Sequence, residues 1–204
     1  MEALPARYLR ARAYLQSLPA GLDSFPECRV RAEVYTDVRE SFPELGKDTS
    51  LPPRVSAYFK GHHDKQWISE VLGQVINLLA RDSLPGDDAF LDYTYGLNQR
   101  LFQSSFLRHL MRLVTPTLIV MGAAQRWGTL HEGTTLTAGK IVRKSDGNRT
   151  TGTLHFPAGL YPELFLRALV PAFRAGIDGA RAEHAEVRLV RVEPTLAEYE
   201  IAWR

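Results

Sequence analysis

The feature that most constrains the fold is a change of hydrophobic periodicity near Gly128. Before this residue apolar side chains recur about every 3.6 positions, which predicts amphipathic helices, and after it they alternate with polar ones, which predicts strands. The first two predicted strands are separated by Ser145-Asp146-Gly147-Asn148. An Asp-Gly pair between two strand-forming runs predicts a hairpin.

The C-terminal third of the chain therefore predicts two strand pairs with a helix between them. The strands cover Thr134 to Lys144, Thr150 to Phe156, Ala185 to Glu193 and Leu196 to Trp203, and the helix covers Pro162 to Arg174. In the last strand we expect Tyr199, Ile201 and Trp203 on the buried face, because side chains of a strand alternate between its faces. The order helices-β-β-α-β-β predicts an α+β fold, with N-terminal helices packed on a C-terminal antiparallel sheet of about four strands.

Helical periodicity describes the part of the chain that precedes the sheet. The strongest signal begins after Asp64, a predicted N-cap, and carries a broad apolar face from Trp67 to Leu79. The other predicted helices cover Pro5 to Leu18, Ser24 to Phe42, Val55 to Phe59, Asp88 to Leu113 and Pro116 to Trp127. A polar loop from Leu45 to Pro53 suggests a helical extension over residues 1–50 and an α+β domain over residues 51–204.

Composition excludes several classes of function. The 204 residues carry a formal charge of only +2, and their basic residues are scattered, so we expect no nucleic-acid partner. The single cysteine, Cys28, excludes an internal disulfide and a zinc site built on cysteines. We expect a cytoplasmic protein without a membrane span, because the chain has no secretory signal and no long apolar run.

Several segments with aromatic, Gly and Pro positions form a loose pattern across the chain. They are Trp67-Ile68-Ser69-Glu70-Val71-Leu72, Tyr95-Gly96-Leu97, Leu113-Val114-Thr115-Pro116, Gly159-Leu160-Tyr161-Pro162-Glu163, Val187-Arg188-Leu189-Val190 and Tyr199-Glu200-Ile201-Ala202-Trp203. Over roughly residues 51–204 this pattern resembles a myxobacterial paralogous family of uncharacterised proteins. That family distantly resembles the ligand-binding superfamily of haem nitric-oxide sensors, vinyl-reductase-type domains and Golgi tethering (TRAPP-like) subunits. The resemblance implies small or fatty ligands held between helices and sheet, or a dimeric assembly subunit.

The cofactors of those relatives do not transfer to this chain. Haem sensors use a proximal His, for which His131 is the candidate, and a Tyr-x-Ser-x-Arg motif for the propionates. The corresponding segment here is Phe156-Pro157-Ala158-Gly159-Leu160, so haem is disfavoured. No cysteine occurs in the half of the chain where relatives hold zinc. We therefore expect no cofactor.

The residue types of this chain suggest a ligand pocket more readily than a catalytic centre. The candidate pocket residues are Trp67, Tyr93, Phe102, Phe106, Met111, Trp127, His131, Phe156 and Phe165. Ordinary core packing explains most of the same residues, and Tyr93 also suits an amphipathic boundary position. His62-His63-Asp64 is a poor metal site, because adjacent side chains of a helix diverge.

We thus expect a non-enzymatic sensory or regulatory domain that binds a small apolar or fatty ligand or a protein partner. The alternative is a homodimeric structural or assembly subunit without ligand. A less favoured alternative is a small hydrolase or lyase that uses His131 and Glu132 as acid and base, since no catalytic residue set is identified by spacing. This last hypothesis predicts both side chains in one concave pocket.

Overall fold

A computed structural model describes residues 4–61, 66–103, 115–180 and 182–204, with the side chains of residues 102 and 103 excepted. The helices are α1 (Leu9–Ser17), α2 (Thr36–Ser41), α3 (Pro53–Phe59), α4 (Glu70–Asp82), α5 (Asp87–Gln103), α6 (Pro116–Leu130) and α7 (Glu163–Gly179). The strands are β1 (Arg29–Arg31), β2 (Trp67–Ser69), β3 (His131–Glu132), β4 (Thr135–Ala138), β5 (Val142–Lys144), β6 (Gly147–His155), β7 (Glu186–Glu193) and β8 (Leu196–Trp203).

The α+β class is confirmed, and the strands form two antiparallel sheets rather than one. The first sheet has the order β2-β1-β3 and was not expected from the sequence. The second has the order β4-β6-β8-β7, with β5 also paired to β6. The strand expected from Thr134 to Lys144 is thus two strands, β4 and β5. Gly139 separates them where its backbone approaches Thr151 so closely that a Cβ atom would lie 2.6 Å from the hydroxyl oxygen.

The described chain forms two compact units. The first comprises Met1–Phe90, Leu130–Gly133 and Pro157–Pro162, and it contains the three-stranded sheet. The second comprises Leu91–Thr129, Thr134–Phe156 and Glu163–Arg204, and it contains the five-stranded sheet. Residues on both sides of position 50 belong to the first unit, and the domain boundary expected at that position stays a prediction.

In the second unit α7 covers one face of the five-stranded sheet. Tyr199 of β8 donates a hydrogen bond of 3.0 Å to the carbonyl of Leu166, and its ring meets Phe173 edge to face at 5.2 Å between centroids. The predicted burial of Tyr199, Ile201 and Trp203 is confirmed. The predicted hairpin is also confirmed, because Lys144 pairs with Gly147 across a tight turn. A hydrophobic stripe on α7 and the alternate residues of β8 therefore form one core.

Two helices begin later than the sequence predicts, because residues expected near their starts form the strands β1 and β2. Ser69, rather than Asp64, caps α4, and its hydroxyl accepts a hydrogen bond of 3.1 Å from the amide of Leu72. Trp67 and the residues after it pair with β1 instead, and the expected cap Asp64 lies outside the described residues. Similarly, the helix expected from Ser24 covers only α2, since Val30 is the centre of β1.

Two further helices have boundaries that differ from the predicted ones. Gly128, expected to terminate a helix, lies inside α6, which continues to Leu130. The helix expected from Asp88 to Leu113 begins as α5 at Asp87, and its part beyond Gln103 lies outside the described residues.

Candidate functional site

The strongest concentration of buried polar groups lies at the N-terminus of α4. Glu70 is the first residue of this helix and Gln74 lies one turn later, and neither has any solvent exposure. The pairing of β2 with β1 sets this position, since the amide of Glu70 donates a hydrogen bond of 2.9 Å to the carbonyl of Cys28. An acidic side chain is almost never fully buried without a partner. The side chains around Glu70 therefore determine the chemical properties of this buried polar cluster.

Three side chains make polar contacts with the Glu70 carboxylate. His131 Nδ1 lies 3.1 Å from Oε2, and the Gln74 amide donates a hydrogen bond of 3.1 Å to Oε1. The Tyr35 hydroxyl donates toward Oε1 from 3.5 Å, which is long for a hydrogen bond. The cluster thus joins α4, β3 and the short 3-10 helix Ala32–Tyr35.

The three-stranded sheet explains why His131 reaches Glu70. His131 pairs with Val30 on β1, and Val30 pairs with Ile68 on β2. Residues directly opposite one another share a face of a sheet, so these three side chains point to the same side. That side is the core of the first unit, where the side chain of His131 retains only 6% of its exposure.

Burial and the Glu70 carboxylate raise the pKa of the groups around the cluster. Desolvation raises the pKa of Tyr35 and Tyr14 well above the usual tyrosine range, and the negative charge of Glu70 adds to it. Burial, followed by the charges of Glu27 and Glu70, raises the pKa of Cys28 to about 12. Cys28 is therefore a neutral thiol near pH 7 and a poor nucleophile. Its surroundings favour a packing role.

Two glycines allow the backbone to approach the cluster closely. A Cβ atom on Gly73 of α4 would lie 2.5 Å from the ring of Tyr35, so the ring packs directly on the helix backbone. Gly133 has a φ of +77°, and a Cβ atom there would lie 2.7 Å from Cys28 Sγ. Both positions need glycine, one for space and the other for its backbone conformation as well.

The geometry separates the acid and base that the hydrolase hypothesis requires. His131 faces the core, whereas Glu132 is on the other face of β3, where it accepts a hydrogen bond from Arg29 Nε and forms an ion pair with it. Adjacent residues of a strand point in opposite directions, so the two side chains do not share a pocket. Gln74 Oε1 accepts no hydrogen bond from the described part of the chain. The cluster can anchor β3 to α4, but its acid–base pair is enclosed.

The described pocket candidates are distributed over both compact units, and the pocket itself stays a prediction. Within the first unit Trp67 and His131 lie on opposite faces of the three-stranded sheet. Residues of the second unit are Tyr93 and Phe102 on α5, Trp127 on α6, Phe156 after β6 and Phe165 on α7. Trp127 is buried and donates a hydrogen bond of 3.0 Å to the hydroxyl of Thr134. Phe106 and Met111 lie outside the described residues, as do His62, His63 and Asp64.

A second candidate surface lies on α6 in the second unit. Leu118 and Met121 expose 55% and 60% of their surface, and Gly122 lies beside them with open space around the position of a Cβ atom. Residues 116–125 contain no charged side chain. A solvated helix face normally carries charged residues, so this α6 face (Leu118, Met121 and Gly122) has the character of a contact surface.

Some candidate features are absent from the described ranges. Residues 4–61, 66–103, 115–180 and 182–204 contain no group of three or more His, Cys, Asp or Glu side chains that could hold a metal ion. No helix within the same ranges is long and apolar enough to cross a membrane. Comparisons with protein-family models, curated proteins and solved structures find no match to this chain.

Proposed function

We propose that this protein is a non-enzymatic regulatory domain that acts by binding, and that the α6 face takes the apolar part of a ligand or protein partner. The observation that carries the proposal is the exposure of Leu118 and Met121 on a helix segment without charges. Exposed apolar surface costs free energy in water, about 25 cal/mol for each Å². A contact that covers these side chains recovers that free energy.

The exposure of these side chains favours a protein partner over a small molecule. Small-molecule sites are concave and enclose most of the surface of their ligand. Leu118 and Met121 each expose more than half of their surface, so they do not line an enclosed pocket. Two large apolar side chains beside a glycine suit the close approach of a second helix.

The enclosed acid–base pair supports a binding role rather than catalysis. A general base must come within hydrogen-bond distance of the substrate proton that it removes. His131 has almost no exposure and contacts Glu70, while Glu132 is engaged with Arg29 on the other face of the strand.

The experiment is native mass spectrometry of protein purified from the cells that encode it, followed by denaturing extraction. We expect a bound partner or apolar molecule that is lost from the variant with Leu118→Gln and Met121→Gln. The control variant carries Val190→Gln and Val192→Gln on β7, where the side chains expose 51% and 48%. An empty monomer, or equal loss in the control variant, would contradict the proposal.

A second candidate function is a homodimeric assembly subunit that uses the same face. It is favoured by the open space at Gly122, because small residues let two helices approach closely. Sedimentation velocity over a range of protein concentrations separates the two candidates. A dimer that dissociates in the Leu118→Gln and Met121→Gln variant supports the subunit, and a concentration-independent monomer excludes it.

A further inference from the structure

The outer face of the three-stranded sheet carries two arginines around one indole ring. Arg29 and Arg31 lie two residues apart on β1, so both point away from the core that Val30 enters. Trp67 is the cross-strand partner of Arg31 on β2. The guanidinium carbons of Arg31 and Arg29 lie 4.5 Å and 5.9 Å from the centroid of the Trp67 ring. Both distances are within the range of cation–π attraction.

The charges on this face are unequally matched. Arg29 Nε donates a hydrogen bond of 2.8 Å to Oε2 of Glu132 on β3, and its Nη2 lies 2.6 Å from the same oxygen in an ion pair. Arg31 makes no ion pair with the described residues and instead lies over the Trp67 ring. The face of β1, β2 and β3 therefore keeps one guanidinium whose donors are not used by a carboxylate. Among the described residues of these three strands, Glu132 is the one acidic side chain on this face.

The position of Trp67 adds an apolar element to this charge. Trp67 is half-buried on the outer face, whereas Trp127 and Trp203 are buried with 8% and 3% exposure. Trp and Arg are the residue types most enriched in the energetic centres of protein interfaces. The Arg31 guanidinium, stacked on the indole, is also held in one place, which lowers the entropy lost when it binds a carboxylate.

We propose that the outer face of the first sheet, formed by Arg29, Arg31 and Trp67, is a recognition site for an acidic peptide segment of a partner protein. A carboxylate of the peptide receives paired hydrogen bonds from Arg31, and an adjacent apolar group lies against Trp67. The complementary charge favours an acidic segment, since the unmatched group is cationic. This proposal uses other residues than the α6 face and does not depend on the function proposed for that face.

The test is a titration of the full chain with a glutamate-rich octapeptide, in which binding is monitored by tryptophan fluorescence. Trp67 is the most exposed tryptophan, so we expect a saturable change that is absent from a Trp67→Phe variant. Calorimetry with Arg31→Gln should give a Kd weakened by about tenfold or more, the loss expected for a charge-assisted contact. Arg31→Lys should fall between wild type and Arg31→Gln, because Lys keeps the charge without the planar fork.

Two further variants make the result specific to this face. Arg143→Gln removes an exposed arginine of β5 and changes the net charge equally, so its Kd should stay within about twofold of wild type. Glu132→Gln removes the competing carboxylate from Arg29, and we expect it to bind the peptide more tightly.

Several outcomes would overturn the proposal. One is the absence of a saturable signal, and another is equal weakening by Arg143→Gln and Arg31→Gln, which would indicate unspecific attraction. Inorganic phosphate that saturates the fluorescence change as well as the peptide would indicate a simple anion site. A glutamine-rich octapeptide that binds equally would show that charge does not carry recognition.

Discussion

Replacing Gly73 with alanine tests whether the Tyr35 ring packs directly on α4. In the interior of an exposed helix, Gly→Ala stabilises a protein by about 1 kcal/mol. At this position the new Cβ atom would lie 2.5 to 2.7 Å from three atoms of Tyr35, far inside the ordinary separation of about 3.5 to 4.0 Å. Overpacking of a core costs about 1 to 3 kcal/mol, and three close atoms place Gly73→Ala at the upper end. We therefore expect a net loss of about 2 kcal/mol in the free energy of unfolding.

The matched control is Gly122→Ala on α6, where a Cβ atom would meet nothing within 4 Å. This variant should gain up to about 1 kcal/mol, so the two substitutions should differ by about 3 kcal/mol. Guanidinium denaturation of both variants, with tryptophan fluorescence and circular dichroism as probes, measures the difference. A Gly73→Ala protein as stable as wild type would refute the packing argument, because Tyr35 would then have room to move.

Substitutions at three further positions test the polar groups of the first unit. Glu70→Ala removes the buried carboxylate that His131 and Gln74 contact, so it should lower the unfolding free energy by about 3 to 5 kcal/mol. Glu70→Gln should cause a smaller loss, and equal losses in the two variants would contradict a charge-dependent contact. Asp82 accepts hydrogen bonds from two backbone amides at the start of α1. Asp82→Ala should therefore lower the free energy of unfolding by about 1 to 2 kcal/mol, and an unchanged denaturation midpoint would refute this capping role. Burial raises the pKa of the Cys28 thiol to about 12 in the folded protein, above the unfolded value of about 8.5. The neutral thiol therefore makes its full contribution to the free energy of unfolding below about pH 8.5, and this contribution is lost as the pH rises toward 12. The stability of Cys28→Ala should therefore fall less steeply than wild type in unfolding curves between these values, and parallel pH profiles would contradict the shift.

The elements with local signals were predictable from the sequence. The hairpin between β5 and β6 follows from the Asp146-Gly147 pair, and the alternation in β8 identifies its buried residues. Both signals act over a few neighbouring residues, so no knowledge of distant contacts is needed. The α+β class follows from their order along the chain.

The candidate site of the first unit was predictable only in small part. β1 and β2 have three residues each and β3 has two, which is too short for a periodic pattern. One signal was present, since Glu70 and Gln74 interrupt the apolar surface of α4 at a spacing of one turn. Polar residues at this spacing in a helix that is otherwise apolar indicate a buried polar pair. The further partner of Glu70, His131, could not be identified because it lies 61 positions away.

The α+β class, the hairpin and the buried face of the last strand follow from the order of residues along the chain. These properties depend on periodicity and turn chemistry, which neighbouring residues specify. Long-range pairing, in contrast, places Trp67 and Val30 in strands and turns His131 and Glu132 to opposite faces. Such short strands are stabilised by hydrogen bonds to distant segments, and those bonds override the helical preference of the local sequence.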